Sequence, residues 1–450
     1  MANKYDVIIV GAGFAGLSAG LALKEKGLNT CILEARGRVG GRTETKWLDK
    51  DMQIDLGGQW IGPTQDRMYE LVEKYNVKIF PTQLFGKEKY YYFNEIHDQV
   101  PPEMMTMFDV IDDLAKKVNL EAPQKSPDIN YQDRVTFDAW LHTQIDDEEV
   151  IEFLGRILAG GLLSSDAGEV SLFQVLYYIA SGQGTEILLG SKGGAQQDRI
   201  VGGPQALASK MAEDYGSELK LNQVVRTVRK MDQSYFVETE NGNCYETKFV
   251  LMALPPSVLN SKITFIPELP TMKKKMLQNI LPGSASKYHA VYDKPFWRKQ
   301  GLSGQFNLSQ GWIMESIDNS NENREEGIIT FFVYGVDSIK LNELPEEKRK
   351  QLLINELVKV YGEQAREPKY FLTQDWNEET FTNGCFTGHF APCGFLKYGA
   401  IIREEVGGIH WAGTETATIW NGYFEGAVRS GEREAEKIIK KNELLSMKNM

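Results

Sequence analysis

Three glycines, Gly11, Gly13 and Gly16, stand at G-x-G-x-x-G spacing between a β-branched run, YDVIIV at 5–10, and a helical pattern from Ala15 to Lys26. That spacing suits a dinucleotide. The first glycine permits a tight turn, the second lets backbone approach a pyrophosphate, and the third lets the helix lie close to the strand. The helix would then turn the positive end of its dipole to the phosphates. A second apolar run, Thr30 to Leu33, ends at Glu34, 18 residues after Gly16, where a carboxylate can accept both hydroxyls of a ribose. Such a βαβ unit serves NAD or FAD alike, so the fingerprint leaves the cofactor open.

Beyond Glu34 the segment ARGRVGGRT, 35–43, sets Arg36, Arg38 and Arg42 around a glycine pair, which predicts a second phosphate-facing loop. Another pair, Gly57 and Gly58, follows a short strand in QIDLGGQW at 53–60. No nucleophilic or metal constellation competes with this chemistry. The five histidines, His97, His142, His289, His389 and His410, are scattered, and Cys31, Cys244, Cys385 and Cys393 lack C-x-x-C or finger spacing. Four cysteines in 450 residues form no disulfide framework and predict a reducing, cytoplasmic setting.

The elements that must position these groups read as two or three domains, because 450 residues exceed one ordinary core. A formal charge of -12 argues against a nucleic-acid or anionic-membrane partner. The apolar stretch Val7–Leu23 carries the motif glycines and no basic lead, so it reads as strand, turn and helix rather than a targeting or spanning segment. The charged C-terminal run predicts no membrane span there. Residues 66–76 read as a helix, and 80–200 as mostly helical with glycine interruptions. Short strands follow over 219–255, with Asn241-Gly242 as a hairpin turn. After Lys287 come HAVYDKPFW, GWIMESI and GIITFFVYG as strands, a helix over 346–361, the strand GIHWAG and an amphipathic run from Gly422 to about Lys441.

Several blocks, in order, resemble the flavin amine oxidase superfamily and above all the monoamine oxidases: ARGRVGGRT, DLGGQWIGPTQDR (55–67), QQDRIVGG (196–203), KPFWRK (294–299), GCFTGHFAP (384–392) and HWAGTETATIWNGYFEGAVRSGEREA (410–435). The resemblance implies an α/β fold, a Rossmann-type FAD-binding domain interleaved with an α+β substrate-binding domain. The FAD domain would comprise 1–80, 200–270 and 385–445, and the substrate domain 81–199 and 271–384. It implies that FAD is held by Gly11, Gly13, Ala15, Gly16, Glu34, Ala35, Arg36, Gly41, Arg42 and the segment Gly57, Gly58, Gln59, Trp60, with Val225 at the adenine. Gly413, Thr414 and Glu415 would bind the ribityl and pyrophosphate region, and Trp376 would pack on the isoalloxazine. Cys385, in Asn383-Gly384-Cys385, would join the flavin 8-methyl group through its sulfur. The membrane-anchoring tail of the animal enzymes has no counterpart in the sequence, which implies a soluble, bacterial-type relative.

The same resemblance makes Lys287 the holder of a water near flavin N5, and Phe386 and Tyr423 two aromatic faces around the substrate amine, a cage that suits an amine physically. The family usually has two tyrosines there, so Phe386 removes a hydroxyl. Gln196, Leu188 and Leu189 would line the pocket, with Met314 or Ser316 at its entrance. Strand alternation sets Glu315 opposite its two neighbours and predicts a solvated carboxylate; turned inward, it would instead hold the second ammonium of a diamine. The implied reaction takes a hydride from the α-carbon of a neutral amine to the flavin, hydrolyses the imine to aldehyde and ammonia, and passes electrons to O2 to give hydrogen peroxide. Alternatives are a polyamine or diamine oxidase, an L-amino-acid oxidase with an arginine aimed at the carboxylate, and a dehydrogenase with a protein acceptor. A non-catalytic flavin-binding module would not need Lys287, Tyr423 and an aromatic at 386. The expected partners are a small-molecule amine and O2, with a homodimer implied by the resemblance alone.

Overall fold

The computed structural model describes residues 3–322 and 324–448. Its first sheet is built on the two short apolar runs of the N-terminus. Val7, Ile8 and Ile9 are fully buried, as a strand covered on both faces requires. Asn3–Val10 pairs in parallel with Thr30–Leu33 on one side and Cys244–Met252 on the other, and Ile409–Trp411 adds a further parallel partner to Cys244–Met252. Val10, Leu33, Met252 and Trp411 share one end of this sheet by register. That end is where open parallel sheets bind nucleotides. Val225–Met231 and Ser234–Thr239 continue the sheet as antiparallel strands, and Gly242 turns the hairpin to Cys244 with a φ of 85°. The helix Phe14–Glu25 covers one face and packs along the C-terminal helix Phe424–Lys448.

A second, seven-stranded sheet runs in the order Tyr370–Asp375, Ala285–Tyr292, Gly327–Tyr334, Glu315–Asp318, Leu302–Leu308, Lys87–Tyr92 and Glu95–His97. Its two central strands, Ala285–Tyr292 and Gly327–Tyr334, are buried throughout. Their register sets Ala285 opposite Tyr334 and Lys287 opposite Phe332, so these four side chains share one face. The other face carries Tyr288 and Phe331, stacked at 5.4 Å, beneath the helix Glu346–Tyr361. Helices between Pro102 and Leu189 close the remaining side.

Three segments differ from the sequence-based expectation. Residues 80–200 contain the hairpin Lys87–Tyr92 and Glu95–His97, and the strand read over GWIMESI begins only at Glu315. Within HAVYDKPFW the strand ends at Tyr292, and Phe296–Lys299 is a helical turn after Pro295. Among the described residues no helix is long and apolar enough to cross a membrane.

Candidate active site

At the carboxyl end of the first sheet lies a crevice lined by Gly11, Gly13, Ala15, Glu34, Ala35, Arg36, Gly41, Arg42, Val225, Gly413 and Thr414 among others. The fingerprint glycines have separate roles. A Cβ on Gly16 would sit 1.9 Å from the Gly11 carbonyl oxygen, so that position serves helix packing. A Cβ on Gly13 would meet nothing nearer than Gly41 Cα at 4.0 Å, which leaves a backbone cradle open at the helix N-terminus. The Glu34 carboxylate is fixed beside it, accepting from the Ala12 N–H at 2.7 Å and the Arg36 N–H at 2.9 Å. A cradle, a dipole and a held carboxylate together fit a dinucleotide.

The arginines that followed Glu34 were expected to face phosphate, but their donors are largely committed to protein. Arg36 donates to Glu379 at 2.8 and 3.0 Å and to Thr382 at 2.8 Å. Arg42 donates to the Phe386 carbonyl at 2.7 Å and to both oxygens of Glu415, whose carboxylate therefore faces this guanidinium. The loop clamps distant segments onto the crevice wall. The bond to the Phe386 carbonyl, with that from the Cys385 N–H to the Gly283 carbonyl at 2.8 Å, holds residues 385–386 at its end.

The crevice opens into an inner chamber, and both share Gly58, Cys385, Phe386, Gly422 and Tyr423 as walls. Gly57, Gln59, Trp60, Lys287 and Trp376 also line the chamber, and the Trp376 indole donates to the Leu56 carbonyl at 3.0 Å. The Cys385 thiol is pushed up to about 12 by burial, against the opposing pull of Arg42 and Lys287. Tyr423 meets Trp420 edge-on at 4.7 Å and Tyr178 at 5.9 Å. Phe386 meets Tyr334 edge-on at 5.6 Å. The buried Lys287 ammonium donates to the Asp55 carbonyl at 2.6 Å, the Gly57 carbonyl at 2.8 Å and Gln59 Oε1. Desolvation lowers its pKa to about 7, with Asp55 opposing and Arg199 adding to the shift.

Glu315, expected to be solvated, is half-buried and turned into the chambers. The strand alternation behind that expectation fails because Met314 precedes the strand, leaving Glu315 in register with Phe332 on the chamber face. Its Oε1 accepts from the Tyr334 hydroxyl at 2.6 Å, and burial raises its pKa. Ser316 borders the outer chamber, but its hydroxyl turns away to Tyr361 Oη at 2.6 Å. Met314 and Leu189 line that outer chamber, which joins the inner one past Trp60, Gln196 and Glu315. Leu188 does not line either chamber: it is fully buried in the helical core, against the Gly182 backbone. Gln196 reaches both chambers, donating to the Leu188 carbonyl at 3.0 Å while its Oε1 is buried without a partner among the described residues.

Tyr178, Phe332, Tyr334, Asn319 and the buried Asp55–Arg199 ion pair at 3.2 Å were missed in the sequence. Only Phe332 and Tyr334 carried a signal, the alternation within GIITFFVYG, and reading it required knowing the register with Lys287.

Comparison with known proteins agrees with this geometry. The family model for flavin-containing amine oxidoreductases matches residues 14–439. The flavin-containing amine oxidase B of Homo sapiens is 32% identical over 456 residues, covering 98% of this chain and 87% of its own. Putrescine oxidase bound to putrescine superposes with a TM-score of 0.93 at 34% identity, over 97% of this chain and 99% of that one. Cyclohexylamine oxidase of Brevibacterium oxydans superposes with a TM-score of 0.93 at 28% identity, over 98% and 99%.

Proposed function

The chain belongs to the flavin-containing amine oxidoreductase family, and from that premise we propose that it is an FAD-dependent oxidase of small primary or secondary amines that uses dioxygen and releases hydrogen peroxide. When bound, FAD supplies the ring that accepts a hydride from the substrate's α-carbon. The reading assigns the pyrophosphate to the Gly11–Gly16 turn and the ribose to Glu34, with Val225 at the adenine and Gly413, Thr414 and Glu415 along the ribityl chain. Segments 1–80, 200–270 and 385–445 form the FAD-binding unit in this reading, and the site works in the cytoplasm.

The observation that carries it is the junction of crevice and inner chamber, where Phe386 and Tyr423 stand with Cys385 on the shared wall and Lys287 just inside. Two electron-rich aromatic faces enclose an amine, steer its nitrogen and keep water from the reacting carbon. The Cys385 sulfur reaches the same wall and is joined to the flavin 8-methyl carbon in this reading. A carboxylate-bearing substrate is disfavoured: Lys287 is the one cation lining the inner chamber among the described residues, and its three donors already have acceptors.

Glu315 favours a narrower substrate class. A half-buried carboxylate in a chamber rich in aromatic side chains, bonded on one oxygen, has capacity left for a cation, which the second ammonium of an α,ω-diamine supplies. An aerobic amine screen with peroxide detection tests both readings. Peroxide with diamines above monoamines supports them. Amine-driven bleaching of the flavin without peroxide would replace the oxidase with a dehydrogenase, and no bleaching by any amine would overturn the proposal.

A further inference from the structure

Lys287 is held by a small polar network rather than by a countercharge. Two of its three acceptors are backbone carbonyls, Asp55 at 2.6 Å and Gly57 at 2.8 Å, fixed by the turn they belong to. The third, Gln59 Oε1, is the one acceptor on a side chain that can rotate. That rotation is blocked from behind. Gln59 Nε2 donates to Asn319 Oδ1 at 2.7 Å, and Asn319 Nδ2 returns a bond to Gln59 Oε1 at 3.3 Å. Asn319 is anchored in turn, since its backbone carbonyl accepts from Arg199 Nη1 at 2.9 Å. The Asp55 carboxylate, nearest in charge to the lysine, is occupied elsewhere by Arg199 at 3.2 Å, Thr45 at 2.9 Å and Gln53 at 3.2 Å.

This pairing has a direction. With its N–H group committed to Asn319, the Gln59 amide presents its oxygen to the lysine; flipped, it would present N–H to an ammonium and leave two donors facing one another. Trp60 and Phe332 complete the enclosure, their ring centroids each 5.6 Å from Nζ. We infer that Gln59 and Asn319 form an amide clasp that positions Lys287 on the 55–59 turn and sets the charge this lysine presents to the cofactor. The inference rests on the reading that the bound flavin lies against this wall. Gln59 and Asn319 are positioning residues, acting through the lysine.

The titratable and charged groups near Lys287 are Asp55 from the turn, Arg199 from the strand Asp198–Ile200, the neutral thiol of Cys385, and His289 two positions along its own strand. None of them is altered by changing Gln59, so isosteric replacements there isolate the clasp. In Gln59→Glu the acceptor gains a full charge and favours the ammonium. In Gln59→Met the acceptor is lost and the neutral amine is favoured. Asn319→Leu frees Gln59 to rotate without touching the lysine and acts in the same direction as Gln59→Met, by less.

The holoenzyme labelled with ε-¹³C-lysine is titrated by NMR, and the Lys287 signal is identified by its loss in Lys287→Met. The wild-type signal is expected to titrate well below an ordinary lysine. Its midpoint should rise by a unit or more in Gln59→Glu and fall in Gln59→Met and Asn319→Leu, with flavin content and melting temperature recorded for each. The pH profile of flavin reoxidation should move by the same amount in the same direction, which loss of packing would not produce. Equal midpoints in all four proteins, or a wild-type midpoint at the ordinary lysine value, would overturn the clasp. If Gln59→Glu does not fold, the other two variants and the wild-type midpoint still decide. Repeating the titration without FAD separates the premise: midpoints that respond to Gln59 but not to FAD would remove the flavin from this wall and leave the clasp standing.

Discussion

The Tyr334 hydroxyl donates to Glu315 Oε1 over 2.6 Å, joining two neighbouring strands on the face that looks into the inner chamber. The bond orients the carboxylate and leaves its second oxygen for a cation. Glu315→Gln is therefore expected to lower kcat/KM for an α,ω-diamine by about 100-fold, the effect of about 2–3 kcal/mol for a lost charge-assisted hydrogen bond. A monoamine of equal chain length should change by less than about threefold. Tyr334→Phe should act in the same direction and less strongly. Steady-state kinetics on the matched substrate pair check this, and equal losses on both would show that Glu315 only packs.

Cys385→Ala is expected to release the flavin on acid precipitation while the folded protein stays yellow, because the crevice offers many other lining residues to a nucleotide. Intact mass of the wild type should exceed that of the chain by one flavin nucleotide. Flavin in the wild-type supernatant would refute the covalent link and leave the rest of the site intact.

Gly13→Ala and Gly16→Ala separate binding from folding. The first adds a methyl where the nearest atom is 4.0 Å away, so the apoprotein should melt close to wild type while FAD affinity falls by about tenfold or more. The second drives a methyl to 1.9 Å from a backbone oxygen, which only a shift of the helix relieves, at a cost of about 1–3 kcal/mol. Flavin titration and thermal melting of the apoproteins distinguish the two.

His389 predicts an acid-limited stability. It is buried, its Nδ1 has no partner among the described residues, and desolvation lowers its pKa to about 4 from 6.5. The unfolded chain takes up the proton as pH falls below about 6.5, whereas the folded chain resists until about 4, so stability is full above 6.5 and declines through that window. The loss amounts to about 3 kcal/mol for this group. His389→Gln should flatten the melting temperature between those pH values relative to wild type, and parallel curves would remove His389 from the acid limb.

Much of the crevice was legible because its information is local. The spacing of Gly11, Gly13 and Gly16 and the distance to Glu34 fix a turn and a carboxylate within one βαβ unit, whatever the rest of the chain does. The inner chamber depends on pairings between distant strands, and there the reading failed where a boundary moved. Glu315 was assigned to solvent because alternation was counted from Met314, which lies outside the strand. Leu188 was expected beside Leu189 in the pocket, but a short helix turns consecutive side chains apart, one to the core and one to the chamber. Arg36 and Arg42 do line the crevice, but their acid partners, Glu379 and Glu415, lie more than three hundred residues later and carried no signal in the sequence.

The Arg42 clamp also bears on when the enzyme comes into being. Phe386 and Glu415, which it grips, and the strand Ile409–Trp411, which completes the sheet behind it, all lie more than three hundred residues further along the chain. The glycine fingerprint is therefore translated well before the wall that it faces. Until those residues are made, a nascent chain carries the fingerprint without the wall that Arg42 holds.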